Sequence, residues 1–269
     1  MQKLNVETTE SNHNGFTGVF EKLLRRFKVA MYIILMIPIY ILGCFIIGIC
    51  LAPGIALFRM VSEVAVLQPI WIQNILYGLS IAAGFFIYGA CVVFVAPLIN
   101  LLIGRRLKAF KGPYYSVETF KWFLHNGLTY LVRYSFLEFI TPSPLAILFY
   151  QMMGMKIGSG VHINSTWLSD PSLIEIGDKT TIGGSAAIVA HYAQGGMLVI
   201  APVKIGSSCT IGIKATIMGG VTIGDGAKIL PHTVLLPKTV VPAGETWGGS
   251  PAQKIELKQF YSGAKKVTS

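Results

Sequence analysis

IGSSCT IGIKAT IMGGVT IGDGAK ILPHTV LLPKTV V, residues 205–241, decides how this chain folds. Divided every six residues, each group opens on an aliphatic side chain: Ile205, Ile211, Ile217, Ile223, Ile229, Leu235 and Val241. Upstream, Ile157, Ile163, Ile176, Ile182 and Ile188 extend the pattern with two breaks. Four residues after most of them comes a compact side chain: Val161, Thr180, Ala186, Cys209, Ala215, Val221, Ala227 or Thr233. A period of six matches neither an α-helix nor an alternating strand. It matches a solenoid in which each short strand ends in a turn and three strands close one triangular coil. The aliphatic side chain then points into the prism and the compact one fits a crowded corner. Glycine after the aliphatic residue, as at Gly158, Gly177, Gly206, Gly212 and Gly224, supplies turn conformations that other residues resist.

The first half of the chain has a different character. Of 269 residues, 53% are hydrophobic and only 13% charged, too apolar for an ordinary soluble protein of this size. The excess lies in two charge-free stretches, Val29 to Ala56 and Val64 to Gly104. About 20 apolar residues cross a bilayer, so both predict transmembrane helices. Lys22, Arg25, Arg26 and Lys28 precede the first span, and Arg105, Arg106, Lys108 and Lys111 follow the second. Basic flanks stay cytoplasmic. The spans therefore predict a hairpin in the inner (cytoplasmic) membrane with the solenoid on its cytoplasmic side. These flanks hold eight of the 22 basic residues, so the net charge of +10 calls for no nucleic-acid partner. The partner they call for is the lipid bilayer, whose anionic headgroups they suit.

The expected layout is a polar, mostly disordered segment at 1–28, a transmembrane hairpin at 29–111, capping or interfacial helices at 112–155, and the solenoid with its tail at 156–269. Lys111-Gly112-Pro113 reads as a breaker. Ser116 then caps a helix to about Phe139, stopped by Pro142 and Pro144, and a short helix follows at about 144–153. The long one carries Phe120, Trp122, Phe123, Tyr130, Tyr134 and Phe136. It suits either the membrane interface or a cap over the first coil. Cys44, Cys50, Cys91 and Cys209 have neither disulfide nor metal spacing and read as packing residues.

The repeat breaks between Ile163 and Ile176 and again between Ile188 and Ile205. Inserted residues leave a solenoid as a loop, commonly on its working face. The second insert carries His191. An imidazole can take a proton from an alcohol or amine as it attacks a thioester.

The repeats, His191 ahead of Pro202-Val203-Lys204-Ile205-Gly206, the run Gly220-Val221-Thr222-Ile223-Gly224-Asp225 and the closing Gly248-Gly249-Ser250-Pro251-Ala252 resemble the hexapeptide-repeat acyltransferases. Those enzymes are left-handed parallel β-helices. The resemblance implies acetyl-CoA or another acyl thioester as co-substrate, His191 as general base, a homotrimer with sites between subunits, and no metal. It also puts Asn164 in the catalytic site, Asp170 against the acceptor, and Gly212, Gly219, Gly220 and Lys238 along the cofactor. Asn164 and Asp170 read equally as turn residues, and the glycines as turns of the solenoid. Cys209-Thr210 and Ile213 depart from that family's pattern, which leaves backbone N–H groups to steady an oxyanion. The spans, the aromatic stretch, residues 154–163 and Trp247-Gly248-Gly249-Ser250-Pro251-Ala252 also resemble the membrane-bearing terminal region of polylysine-synthetase-type peptide synthetases.

His162 and His232 read as surface residues, His125 belongs to the aromatic helix and His13 to the tail. The related γ-class carbonic anhydrases bind zinc through three converging imidazoles, and no second His lies near His191 in sequence. These residues predict a membrane-anchored acyltransferase acting on a hydroxyl or amine of a membrane-associated acceptor. Amide-bond formation on an aminoacyl thioester and a non-catalytic trimeric scaffold are the alternatives.

Overall fold

A computed structural model describes Ser11, residues 13–103 and residues 107–256. Arg105 and Arg106 of the basic flank, most of the first twelve residues and the tail after 256 lie outside the described residues. Helix α1 (Gly15–Ala65) and helix α2 (Ile70–Leu102) form an antiparallel pair joined by a short turn. Both are long and apolar enough to cross a membrane. A helix satisfies its own backbone polar groups, which hydrocarbon cannot do. Gly54 and Gly84 let the two pack closely: a Cβ on Gly54 would sit 3.0 Å from the Cα of Gly84. Helix α1 begins at Gly15, inside the segment expected to be disordered, with a backbone break at Lys28 (φ 25°, ψ −93°).

From Lys156 the chain is a left-handed parallel β-helix. Strands β2 (Lys156–Ile157), β3 (His162–Ile163) and β4 (Leu168–Ser169) make the first coil. Strands β5 (Ile174–Ile176), β6 (Thr181–Ile182) and β7 (Ala187–Val189) make the second. A hairpin, β8 (His191–Gln194) and β9 (Met197–Ile200), leaves the prism before the third coil. That coil is β10 (Val203–Ile205), β11 (Thr210–Ile211) and β12 (Thr216–Ile217). The fourth is β13 (Thr222–Ile223), β14 (Lys228–Ile229) and β15 (Val234–Leu235). Finally come β16 (Val240–Val241), β17 (Thr246–Gly248) and β18 (Gln253–Lys254).

Three parallel sheets form the faces of the prism. The first is β2-β5-β10-β13-β16, the second starts at β3 and runs through β6, β11, β14 and β17, and the third is β4-β7-β12-β15. Ile205 pairs with Ile223 and Ile223 with Val241, one full coil of three hexads apart. The six-residue count therefore fixes register as well as fold. Except at half-buried Ile157 in the first coil, every aliphatic hexad position is buried, from Ile163 to Val241. The compact corner positions, Thr180, Ala186, Cys209, Ala215 and Ala227 among them, are buried too. Burying one such aliphatic side chain contributes about 1.5–3 kcal/mol. The stack of isoleucines is therefore the main source of the solenoid's stability.

The expected helix after Ser116 is α3 (Val117–Val132), whose first turn is capped by the Ser116 hydroxyl accepting from the Thr119 N–H. It continues through a π-turn at Arg133–Leu137 into α4 (Glu138–Ile140). Helix α5 (Pro144–Met152), capped by Ser143, then enters the first coil. The α3 face bearing Trp122, Leu128 and Val132 is buried, while Tyr134 and Phe139 remain exposed. Phe136 of the π-turn packs so tightly on α2 that a Cβ at Gly89 would overlap its ring. On the other side, the Tyr150 hydroxyl donates to the Thr166 carbonyl, Glu138 bonds Thr166, and the Arg133 guanidinium lies 3.6 Å above the Trp167 ring. The segment 117–152 thus covers the first coil and packs on the spans at once.

Lys111-Gly112-Pro113 is no simple breaker. It belongs to strand β1 (Phe110–Pro113), which pairs antiparallel with β9. β1, β9 and β8 make a separate three-stranded sheet beside the prism. Leu198 and Ile200 on β9 close a small core with Leu107 and Trp122.

Candidate active site

Both breaks in the hexad repeat leave the prism at one corner, in adjacent coils. Leu168 pairs with Ile188 and Ser169 with Val189. The residues that follow each strand are therefore brought together: Asp170 from the first coil, Ala190 and His191 from the second. Asp170 takes a left-handed conformation (φ 63°, ψ 50°), tolerated by Asp, and starts a 3-10 turn at Pro171–Leu173. His191 Nδ1 lies 2.6 Å from Asp170 Oδ2.

Four N–H donors converge on this carboxylate. The Trp122 indole and the Asn126 amide each donate to Oδ1 at 2.7 Å, and the Ala190 backbone N–H donates to Oδ2 at 3.0 Å. The fourth is His191. Asn126 also accepts from the Asp170 backbone N–H at 3.0 Å. An ionised carboxylate only accepts. The His191 ring proton therefore sits on Nδ1, and Nε2 carries the lone pair. The Trp122 ring packs edge-on against the imidazole, with centroids 4.7 Å apart. The His191 side chain keeps 21% of its surface exposed and that of Asp170 none. A base with one open nitrogen, held from behind by a buried carboxylate, is equipped to take a proton from a bound hydroxyl or amine.

The resemblance set Asp170 against the acceptor; within this chain it lies on the far side of the imidazole. It is fully buried, and protein donors occupy both of its oxygens. Its place is behind His191, fixing the ring's tautomer and direction.

Gly219, Gly220 and Lys238 do gather beside His191. A Cβ at Gly219 would stand 3.0 Å from the His191 backbone N, and one at Gly220 (φ 83°) 3.0 Å from Lys238 Cγ. The Lys238 N–H donates to the Gly219 carbonyl, and its side chain is exposed. Asn164 and Gly212 are not part of this corner within one chain. Each follows a strand of the second sheet, where Asn164 lies beside Gly184 and Gly212 packs against Pro231 of the next coil. Ile213, half exposed, stands with them. Among the described residues, no three His, Cys, Asp or Glu side chains converge as metal ligands.

Trp122 and Asn126 did not emerge from the sequence as site residues. Their signal was faint: two polar-capable side chains four apart, hence on one face of an aromatic-rich helix. His125, beside them, is fully buried, with Nδ1 3.0 Å from Asn100 Oδ1. Burial lowers its pKa to about 4, although nearby Asp170 pulls the other way.

Residues 202–237 match the family model described as bacterial transferase hexapeptide (six repeats). Over 207 residues the chain is 25% identical to delta-poly-L-ornithine synthetase of Acinetobacter baumannii (strain AB307-0294), a match that takes in 75% of this chain and 15% of that protein. Over 115 residues it is 33% identical to "Putative acetyltransferase YvoF" of Bacillus subtilis (strain 168), covering 42% of this chain and 66% of that one. This chain thus spans a small part of the first relative and just under two thirds of the second. Among solved structures, the hexapeptide-repeat-containing acetyltransferase VCA0836 of Vibrio cholerae O1 biovar eltor, complexed with acetyl coenzyme A, superposes with a TM-score of 0.44. It is 19% identical, over 57% of this chain and 96% of that one. On its repeat and its three-sheet prism, this chain carries a left-handed β-helix of hexapeptide repeats, of which residues 202–237 match that transferase model.

Proposed function

We propose that this protein is a membrane-anchored acyltransferase that moves an acyl group from a CoA thioester to a hydroxyl or amine of a membrane-associated acceptor. The observation that carries this reading is the His191–Asp170 pair, 2.6 Å apart and projecting from the hexapeptide-repeat prism. His191 Nε2 takes the acceptor's proton as its oxygen or nitrogen bonds to the thioester carbonyl carbon. Asp170 stabilises the imidazolium that forms. The tetrahedral intermediate collapses with loss of the C–S bond, and the proton passes from Nε2 to the departing thiolate. Backbone N–H groups near Gly219 and Gly220 are the candidates to steady the oxyanion. Lys238, exposed at the same corner, suits a CoA phosphate.

The transferase family match and the relative named as an acetyltransferase support acyl transfer, with acetyl as the group. The two long apolar helices support anchoring, and the basic residues flanking them support a β-helix on the cytoplasmic side. A homotrimer would set one protomer's Asn164 and Gly212 corner against its neighbour's His191 corner and so join the two groups of predicted site residues. A second reading, amide-bond formation on an aminoacyl thioester, is favoured by the 207-residue match to delta-poly-L-ornithine synthetase. It would use the same base on an amine.

Release of CoA from acetyl-CoA by the full chain in membranes, with alcohols and amines supplied as acceptors, tests the proposal. His191→Ala is expected to lower turnover by about 10²–10⁴-fold. Turnover unchanged in that variant would overturn the reading. Release only with amines and an aminoacyl thioester would favour the second.

A further inference from the structure

A cavity of about 720 Å³ lies between helices α1 and α3, within the roughly 300–1,000 Å³ of small-molecule sites. Met36, Ile39, Gly43 and Ile47 line it from α1 at helical spacing, so one face of that helix's charge-free stretch, Val29 to Ala56, is turned toward it. Trp122 and Asn126 form part of the wall on α3. These are the two side chains that donate to Asp170 Oδ1, and the Trp122 ring also touches His191. A hydrocarbon-walled space thus adjoins the apolar hairpin on one side and the rear of the His191–Asp170 pair on the other.

We propose that this cavity holds a hydrocarbon chain of the acceptor, which is then a membrane lipid bearing a hydroxyl or amine on its headgroup. This rests on the transferase reading above and narrows its acceptor. A chain entering along α1 comes from the bilayer without crossing water, whereas a CoA thioester arrives from the aqueous side. The lipid-side space therefore belongs to the acceptor. Its headgroup would lie at the Trp122 end of the cavity, the end nearest His191, and reach the imidazole by displacement of the Trp122 ring. There the headgroup oxygen or nitrogen loses its proton to Nε2 and gains the acyl carbon, while sulfur leaves with the proton.

The test uses the full chain in phosphatidylethanolamine–phosphatidylglycerol vesicles containing a diazirine-bearing hexadecanol. Cross-links are expected at Met36, Ile39 and Leu131, which line the cavity, and unlabelled hexadecanol should compete them away. Gly43→Phe and Gly127→Phe, which fill the space, should each lower these cross-links by about tenfold. Acetyl-CoA binding reports that the variants have folded, and the wild-type cross-linking pattern decides alone if they have not. Cross-links confined to the outward-facing Ile33, Ile37 and Ile41 would overturn the proposal. Cavity cross-links with no CoA release from any acceptor would keep the lipid site and sink the transferase reading instead.

Discussion

Asp170 and His191, twenty-one residues apart, meet at 2.6 Å because Asp170 directly follows Ser169 while His191 comes two residues after its partner Val189 in the next coil. A solenoid converts equal positions in its repeat into spatial neighbours. Two interruptions at one corner therefore build a pair that neither could form alone.

Asp170→Asn tests that pair from behind. The amide presents an N–H₂ where His191 now donates, favouring the wrong tautomer. Turnover is expected to fall by about 10²–10⁴-fold, as for His191→Ala. The double variant should be little worse than either single one, since the two act as a unit. Additive losses in CoA-release rates would contradict this.

Trp122→Phe keeps an aromatic ring beside His191 and removes the indole N–H together with part of the bicyclic ring. Loss of a hydrogen bond to a charged group costs about 1.5–3 kcal/mol. A lower kcat with an unaltered KM for the thioester is expected, because Trp122 positions Asp170 from the side away from the aqueous approach. A raised thioester KM at constant kcat would place Trp122 in donor binding.

Gly219→Ala brings a methyl to 3.0 Å from the His191 backbone N. The hairpin must yield by a few tenths of an ångström. Turnover should drop more than thermal stability does, and a crystal or cryo-EM structure of the variant should show the imidazole displaced from Asp170.

His125 makes stability depend on pH. Burial lowers its pKa from 6.5 to about 4, so the unfolded chain binds a proton that the folded chain refuses. Its contribution is complete above pH 6.5 and is lost as pH falls toward 4, by about 3 kcal/mol over the full interval. Denaturation of wild type and His125→Phe in detergent, at pH 7.5 and 4.5, reads the difference. The variant should lose less stability on acidification.

Ile217→Ala removes a fully buried side chain from the middle of the prism. A loss of about 2–5 kcal/mol is expected, read as a lowered unfolding midpoint. The same change at half-buried Ile157 in the first coil should cost clearly less.

The prism was legible because one local rule, an aliphatic residue every six, dictates burial, turn and register together. The departure of His191 from the prism was legible because it interrupts that rule. The role of Asp170 was not: its own segment reads as an Asp-Pro turn, and only the pairing of Ser169 with Val189 puts it behind the imidazole. Strand β1 was hidden for a related reason. Lys111-Gly112-Pro113 has the composition of a breaker, and its partner β9 lies more than eighty residues on. Trp122 and Asn126 were masked by an aromatic-rich helix whose side chains suited a membrane interface equally well.

The pairing of β1 with β9 means that the solenoid is not a detachable module. Excising everything before Lys156 would strip β9 of its neighbour and bare Leu198 and Ile200. An unprotected strand edge of that kind invites self-association. The same cut would take away Trp122 and Asn126, two of the four donors on Asp170. A soluble fragment would keep its imidazole yet lose half the scaffold that aims it.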